Sequence, residues 1–161
     1  MLYSEMGITF ASENWKIQPT LRISNINQKY KDIIDPINKS KNSLIFIPNL
    51  NISYLLNNKS TFKISGNYEE KTPNEENLFT NFIAQNNRFI KLNQFNLELQ
   101  QNQNYILSYR FNDLFTSFAT NFTLIYDIKK NTYLSSVEIQ NDFTAYNFFQ
   151  LPTNIENYYL N

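Results

Sequence analysis

Phe46–Tyr68 reads FIPNLNISYLLNNKSTFKISGNY, and its alternation is the clearest structural signal in the chain. Phe46, Pro48, Leu50, Ile52, Tyr54 and Leu56 fall on one side of an extended backbone, with Ile47, Asn49, Asn51, Ser53 and Leu55 on the other. After Asn57-Asn58-Lys59-Ser60 the alternation resumes, with Phe62, Ile64, Gly66 and Tyr68 against Lys63, Ser65, Asn67 and Glu69. Successive side chains of a strand point to opposite faces, so a period of two describes a strand between two unlike environments. Two such strands joined by a short Asn-rich turn predict a hairpin.

The same unit recurs outward in both directions. Trp15, Ile17, Pro19, Leu21 and Ile23 oppose Lys16, Gln18, Thr20, Arg22 and Ser24, and Tyr105, Leu107, Tyr109 and Phe111 oppose Ile106, Ser108, Arg110 and Asn112. Phe118, Phe122, Leu124, Tyr126 and Ile128 form a further apolar row, and Tyr133, Val137, Ile139 and Phe143 another. Phe95, Leu97 and Leu99 suggest one more strand. The expected fold is all-β, an antiparallel up-and-down meander of about eight or nine long strands.

The connections differ in length. Short turns are expected near Ser12–Asn14, Asn57–Ser60, Gln101–Asn104 and Lys129–Asn131, and longer polar loops at Asn25–Asn42 and Glu70–Arg88, with a shorter one at Asp113–Ser117. Because each connection reverses the chain, the short turns gather at one end of the strands and the long loops at the other, as in outer-membrane barrels. Strands of roughly ten residues match a tilted crossing of a bilayer. Tyr and Trp near the expected strand ends (Trp15, Tyr54, Tyr68, Tyr105, Tyr126 and Tyr133) suit interfacial girdles. Alternation alone would also fit a soluble sandwich, in which each aromatic is a packed core residue.

Composition narrows the chemistry. The chain has 161 residues, zero formal net charge, 42% hydrophobic and 16% aromatic residues, and only 17% charged residues, against roughly 25% in soluble domains. Zero net charge gives no reason to expect nucleic acid as a partner. With no Cys and no His, disulfides, thiol and imidazole chemistry and a Ser-His-Asp triad are absent. No catalytic, cofactor-binding or metal-ligating residues are assigned, and an enzyme is not expected. Glu69-Glu70 and Glu75-Glu76 could attract a hard cation, but without a spaced ligand set they read as an exposed charged loop. Arg22, Lys63, Glu69, Glu98, Arg110, Asp127 and Glu138 are expected on the polar, water-facing side. Met1-Leu2-Tyr3-Ser4-Glu5 has neither the basic start nor the apolar core of an export signal.

Several segments resemble TonB-dependent receptors of Bacteroidetes-type bacteria. Trp15-Lys16-Ile17-Gln18-Pro19-Thr20-Leu21-Arg22 is similar to the family's strand ending in Gly-Leu-Arg, with Thr20 in place of the glycine. Phe46-Ile47-Pro48-Asn49-Leu50-Asn51-Ile52-Ser53-Tyr54 is similar to its Phe-x-Pro-x-Leu-x-x-Ser-Tyr strand, and Lys59–Tyr68 to the partner strand. Pro73 and Leu78 match the external loop's Arg-Pro…Leu stretch, with Thr72 in place of the arginine, and Asn93–Leu99 is degenerate against the expected Gly-Asn-Pro segment.

The resemblance implies part of a barrel of about 22 strands with an internal plug, residues 1–161 forming a partial barrel domain without plug, signal peptide or closing strand. It implies the Gram-negative outer membrane, with outer-membrane lipid, the remainder of the barrel, the plug and TonB as partners. Uptake of a siderophore, cobalamin or glycan is the implied activity. Two alternatives remain open at this point: a small self-contained barrel with a structural or adhesive role, and a soluble β-sandwich binding glycan through exposed aromatics.

Overall fold

In the computed structural model the described residues are 2–31, 38–74, 78, 83–86, 88–93 and 96–161. They form β1 (Leu2–Gly7), β2 (Phe10–Ala11), β3 (Trp15–Lys31), β4 (Asn38–Asn57), β5 (Ser60–Lys71), β6 (Ile83–Asn86), β7 (Phe89–Asn93), β8 (Gln100–Asp113), β9 (Phe118–Ile139) and β10 (Thr144–Leu160). The all-β class and the mostly antiparallel pairing expected from the sequence are what the chain adopts. The chain divides into two compact units, residues 1–69, 102–128 and 156–161 in the first and residues 70–101 and 129–155 in the second.

In the first unit the strand order is β1-β3-β4-β5-β8-β9, with β2 also on β3. β3 and β4 pair along their whole length, from Trp15 opposite Tyr54 to Lys31 opposite Asn38. β4 and β5 pair from Asn49 opposite Asn67 to Asn57 opposite Ser60. Their turn is closed by the Asn57 side chain, whose Oδ1 accepts from the Lys59 amide at 2.9 Å, as asparagine does in tight turns. β8 and β9 are joined at Leu114–Ser117, where Asp113 Oδ1 accepts from the Phe115 amide at 3.0 Å and Ser117 takes φ 53°. At the end of β10, Asn161 exchanges both backbone hydrogen bonds with Thr123, at 2.8 and 2.9 Å.

In the second unit β7 lies parallel to β10, with Thr144 opposite Phe89 through Phe148 opposite Asn93, and β6 pairs antiparallel with β7. This parallel pair departs from a pure meander, as does the strand order, in which β5 neighbours β8 and β7 neighbours β10. Among the described residues here, Leu97, Leu99 and Ala145 are buried apolar side chains, and Asn131 and Lys91 are buried as well.

Several expected boundaries move. Gln101–Asn104 is strand, not turn: it belongs to β8, and its poor β-formers are held by side-chain bonds such as Asn104 to Asp127 and Gln101 Nε2 to Glu70 Oε1 at 3.2 Å. Lys129–Asn131 is also strand, inside β9. Asn131 has φ 55°, a left-handed conformation that asparagine tolerates and that kinks a strand without ending it. Turn-type residues there marked a kink, and the chain runs on.

Most of Asn25–Asn42 is likewise strand, β3 continuing to Lys31 and β4 starting at Asn38, because the paired backbone outweighs the polar composition. With two false turns removed, Asp113–Ser117 moves to the end that carries Ser12–Asn14 and Asn57–Ser60, so the three tight turns of the first unit share one end of its strands. The strand expected at Phe95–Leu99 is replaced over Leu97–Leu99 by irregular chain, with the Asn96 side chain accepting from the Glu98 amide at 3.0 Å. Phe95 lies outside the described residues.

Candidate functional site: two faces of one sheet

Residues directly opposite across an antiparallel pair point to the same face, so the register of the first unit assigns its faces. One face carries Met6, Trp15, Ile17, Pro19, Leu21 and Ile23, then Leu44, Phe46, Pro48, Leu50, Ile52 and Tyr54, then Phe62, Ile64 and Gly66. Tyr105, Tyr109 and Phe118 join it through their contacts: Tyr105 lies 3.5 Å from where a Gly66 Cβ would stand, the Tyr109 ring lies tilted against Phe62 with centroids 4.8 Å apart, and Phe118 against Phe111 at 6.0 Å. The Tyr105 ring thus covers the backbone that Gly66 leaves bare, a pairing that shields glycine in strands.

This face is not a core. Phe46 and Ile64 are each 50% exposed, and Leu44, Leu50, Trp15, Phe118 and Leu107 are exposed as well. Among the described residues of the unit, the buried apolar side chain, Ile45 at 1%, belongs to the opposite face beside Ser24. Fully burying one Leu or Phe is worth about 1.5–3 kcal/mol, so even half that value over this face amounts to on the order of ten kcal/mol or more, as large as a domain's whole stability. Such a face suits an apolar surrounding. An open groove of about 840 Å³ crosses it, lined by Met6, Pro19, Leu21, Pro48, Leu50 and Gly66 among others.

The rings are distributed in rows. Near the tight turns, Trp15 lies tilted against Tyr54 with centroids 4.2 Å apart, as expected of a strand-end pair. Tyr105, Tyr126 and Tyr158 form a second row, with centroids 6.1 and 4.6 Å apart. Tyr105 and Tyr126 fall inside β8 and β9 and not at their ends, because the turns expected beside them do not exist. Tyr133 is not in either row: its hydroxyl donates to the Asn96 carbonyl at 3.1 Å in the second unit. On β3 and β4 the apolar row gives out beyond Ile23 and Leu44, where Asn25, Asn27, Asn42 and Ser43 continue both strands.

The opposite face is mostly polar, with Ile45, Ile47 and Leu55 as apolar exceptions. Register places Lys16, Gln18, Thr20, Arg22, Asn49, Asn51, Ser53, Lys63, Ser65 and Asn67 there, and Asp127 accepts a hydrogen bond from Asn104. Arg22 pairs with Glu5 at 3.0 Å and lies over the Tyr3 ring at 4.8 Å. That partner went unrecognised because β1 carries no strong alternation; the register Glu5 opposite Arg22 brings them together. Glu138 is exposed in the second unit, and Glu98 sits in irregular chain there instead of on a strand face. Glu75 and Glu76 lie outside the described residues. Among the described residues there is no cluster of three or more potential metal-ligating side chains and no helix long and apolar enough to cross a membrane.

No known family model matches the chain, and no curated protein matches it. Among solved structures it is similar to the FrpB iron transporter from Neisseria meningitidis (F5-1 variant), with a TM-score of 0.63 and 14% sequence identity over 97% of this chain. The chain spans 22% of that structure's length. At this identity the likeness is one of fold: this chain is folded like a stretch of an outer-membrane transporter.

Proposed function

We propose that this chain is a section of the wall of a Gram-negative outer-membrane transport barrel of the TonB-dependent type, with its apolar face to lipid and its polar face to the lumen. The observation that carries the reading is the one-layered sheet of the first unit, whose large apolar side chains stay exposed on one face while the other is mostly polar. A sandwich would cover that face with a second sheet. Likeness in fold to an iron transporter supports a role in solute uptake. On this reading residues 1–161 are part of a single barrel domain whose partners are lipid, the remaining barrel strands, a plug and TonB, and the solute belongs to the siderophore, cobalamin or glycan class.

Trp15, the sole tryptophan, makes the reading testable. Refolded into vesicles, the chain should show blue-shifted Trp15 emission, quenched by lipids brominated near the headgroup more than by lipids brominated at mid-chain, as an interfacial ring requires. A folded monomer in detergent-free buffer whose Trp15 is untouched by brominated lipid would overturn it.

A further inference from the structure

A cleft of about 460 Å³ opens on the polar face of the first unit, lined by Lys16, Gln18, Asn51, Ser53, Lys63 and Ser65, with Ser108. Its layout follows from register. Ser53 of β4 stands between Lys16 of β3 and Lys63 of β5, and in the next row Asn51 stands between Gln18 and Ser65. Adjacent strands are about 4.8 Å apart, so the two lysine backbones flank Ser53 at a separation of roughly 10 Å. Flexible lysine stems can therefore bring both ammonium groups over the same hydroxyl.

The charges are uncompensated. Arg22 has Glu5 and Lys59 has Asp113, whereas Lys16 and Lys63 make no ion pair among the described residues. The Ser53, Ser65 and Ser108 hydroxyls likewise make no hydrogen bond to described residues. Gln18 Nε2 donates to Thr9 at 3.3 Å and Asn51 Nδ2 to Asn49 at 3.3 Å, each leaving one amide hydrogen available. Two cations and a set of neutral donors converging on one recess form a receptor for a compact oxyanion.

We propose that this cleft binds a phosphate or carboxylate group of a small solute, held between the Lys16 and Lys63 ammonium groups above Ser53. The site deepens the proposed function, on which its lumenal position rests, by giving the passing solute an anionic group. The cleft itself stands on the register of the first unit, so its test is independent of membrane insertion.

The full chain, refolded in non-ionic detergent micelles, is titrated with inorganic phosphate and, separately, with succinate, following the amide resonances of residues 51–53 and 63–65. Saturable shifts confined to the cleft are expected for one or both anions, and their order of affinity distinguishes phosphate from carboxylate recognition. Lys16→Gln and Lys63→Gln should each weaken binding about tenfold or more, the range for losing a charged hydrogen bond, and the pair together should abolish it. Arg22→Gln, which removes a cation already paired with Glu5, should leave it unchanged. Lys63→Arg guards against a folding defect by keeping the charge and retaining binding. Absence of saturable shifts with both anions, or binding indifferent to Lys16 and Lys63, overturns the site, whereas failure of Trp15 quenching with binding intact overturns only the membrane reading.

Discussion

In the first unit, large apolar side chains line one face and stay open to the surroundings, Phe46 and Ile64 at 50% exposure, whereas in the second Leu97, Leu99 and Ala145 are buried at 8%, 9% and 3%. Among the described residues, the exposed large apolar side chains outside the first unit are Phe89, Val137 and Ile139. The second unit is instead tied by side chains bonding to backbone. Asn131 Nδ2 donates to the Leu99 carbonyl at 3.1 Å, and Gln150 Nε2 donates to the carbonyls of Asn131 at 2.6 Å and Glu98 at 3.2 Å. Alternating sheet faces suit a lipid surrounding, while side chains bonded to backbone fix irregular chain, here with the Gln150 Oε1 left buried and without a partner among the described residues. One sequence thus carries two packing solutions, and they respond differently to perturbation.

The largest expected effect comes from charging the apolar face. Leu50→Lys should destabilise the vesicle-inserted chain by about 2–4 kcal/mol, the cost of a lysine on the lipid face of a barrel near the midplane, whereas Asn51→Lys, one residue along and on the other face, should change stability little. Urea unfolding in vesicles measures both. Equal costs would mean that the two faces meet the same surroundings, and the contrast between the units would collapse.

Next comes the polar cluster of the second unit. Asn131→Ala removes the amide bonded to Leu99 and should cost about 1–3 kcal/mol, as for an unsatisfied buried group. Amide exchange should accelerate in residues 96–101 and 144–150 while the β3–β4 ladder keeps its protection. Asn131→Gly, which preserves the left-handed backbone but not the amide, separates the two contributions: a glycine variant as stable as the parent would assign Asn131 to the kink alone.

These two regions also differ in how far the sequence revealed them. Alternation from Trp15 to Ile23 and from Phe46 to Tyr68 was enough to place β3, β4 and β5 and to divide their faces, because a period of two is a direct image of the pleat. The polar face of the cleft, with Lys63 and its neighbours, was legible for the same reason. Glu5 as the partner of Arg22 was not, since pairing across strands depends on register and β1 carries no marked pattern. The turns expected at Lys129–Asn131, in the second unit, and at Gln101–Asn104, of which Asn102–Asn104 belong to the first, are strand, because Asn, Gln and Lys are as common in turns as in kinked or side-chain-bonded strands, and only long-range contacts such as Asn131 to Leu99 decide between them.

A smaller effect is expected at the aromatic pair of the first unit. Trp15 and Tyr54 pack as a tilted pair with centroids 4.2 Å apart, and aromatic pairs contribute about 0.5–1.5 kcal/mol beyond their buried area. In a double-mutant cycle of Trp15→Leu and Tyr54→Leu in vesicles, coupling in that range is expected. Additive losses would show that each ring is anchored by the interface alone and not by its neighbour.

The smallest effect belongs to the turn that joins β8 to β9, where Leu114 and Phe115 are 83% and 94% exposed. Lys59 Nζ lies 2.8 Å from Asp113 Oδ2, and this hydrogen bond, with help from the Phe115 amide, holds the Asp113 carboxyl below its ordinary range. A folded-state pKa below the unfolded one means that folding favours the carboxylate. The contribution is therefore fully present above the unfolded carboxyl pKa and is lost as pH falls through the depressed folded value. Unfolding midpoints of the parent should drop on acidification through this window more than those of Asp113→Asn, which has no carboxyl there to titrate. Lys59→Met should narrow the window by letting the Asp113 pKa rise toward its unfolded value. Because the pair sits at the turn ends of β5 and β8 and not in mid-strand like Leu50, its acid sensitivity should be the same in micelles and in vesicles, unlike the response to Leu50→Lys. An acid response that differs between the two media would tie this turn to the lipid-facing surface and draw the boundary of that surface closer to Asp113.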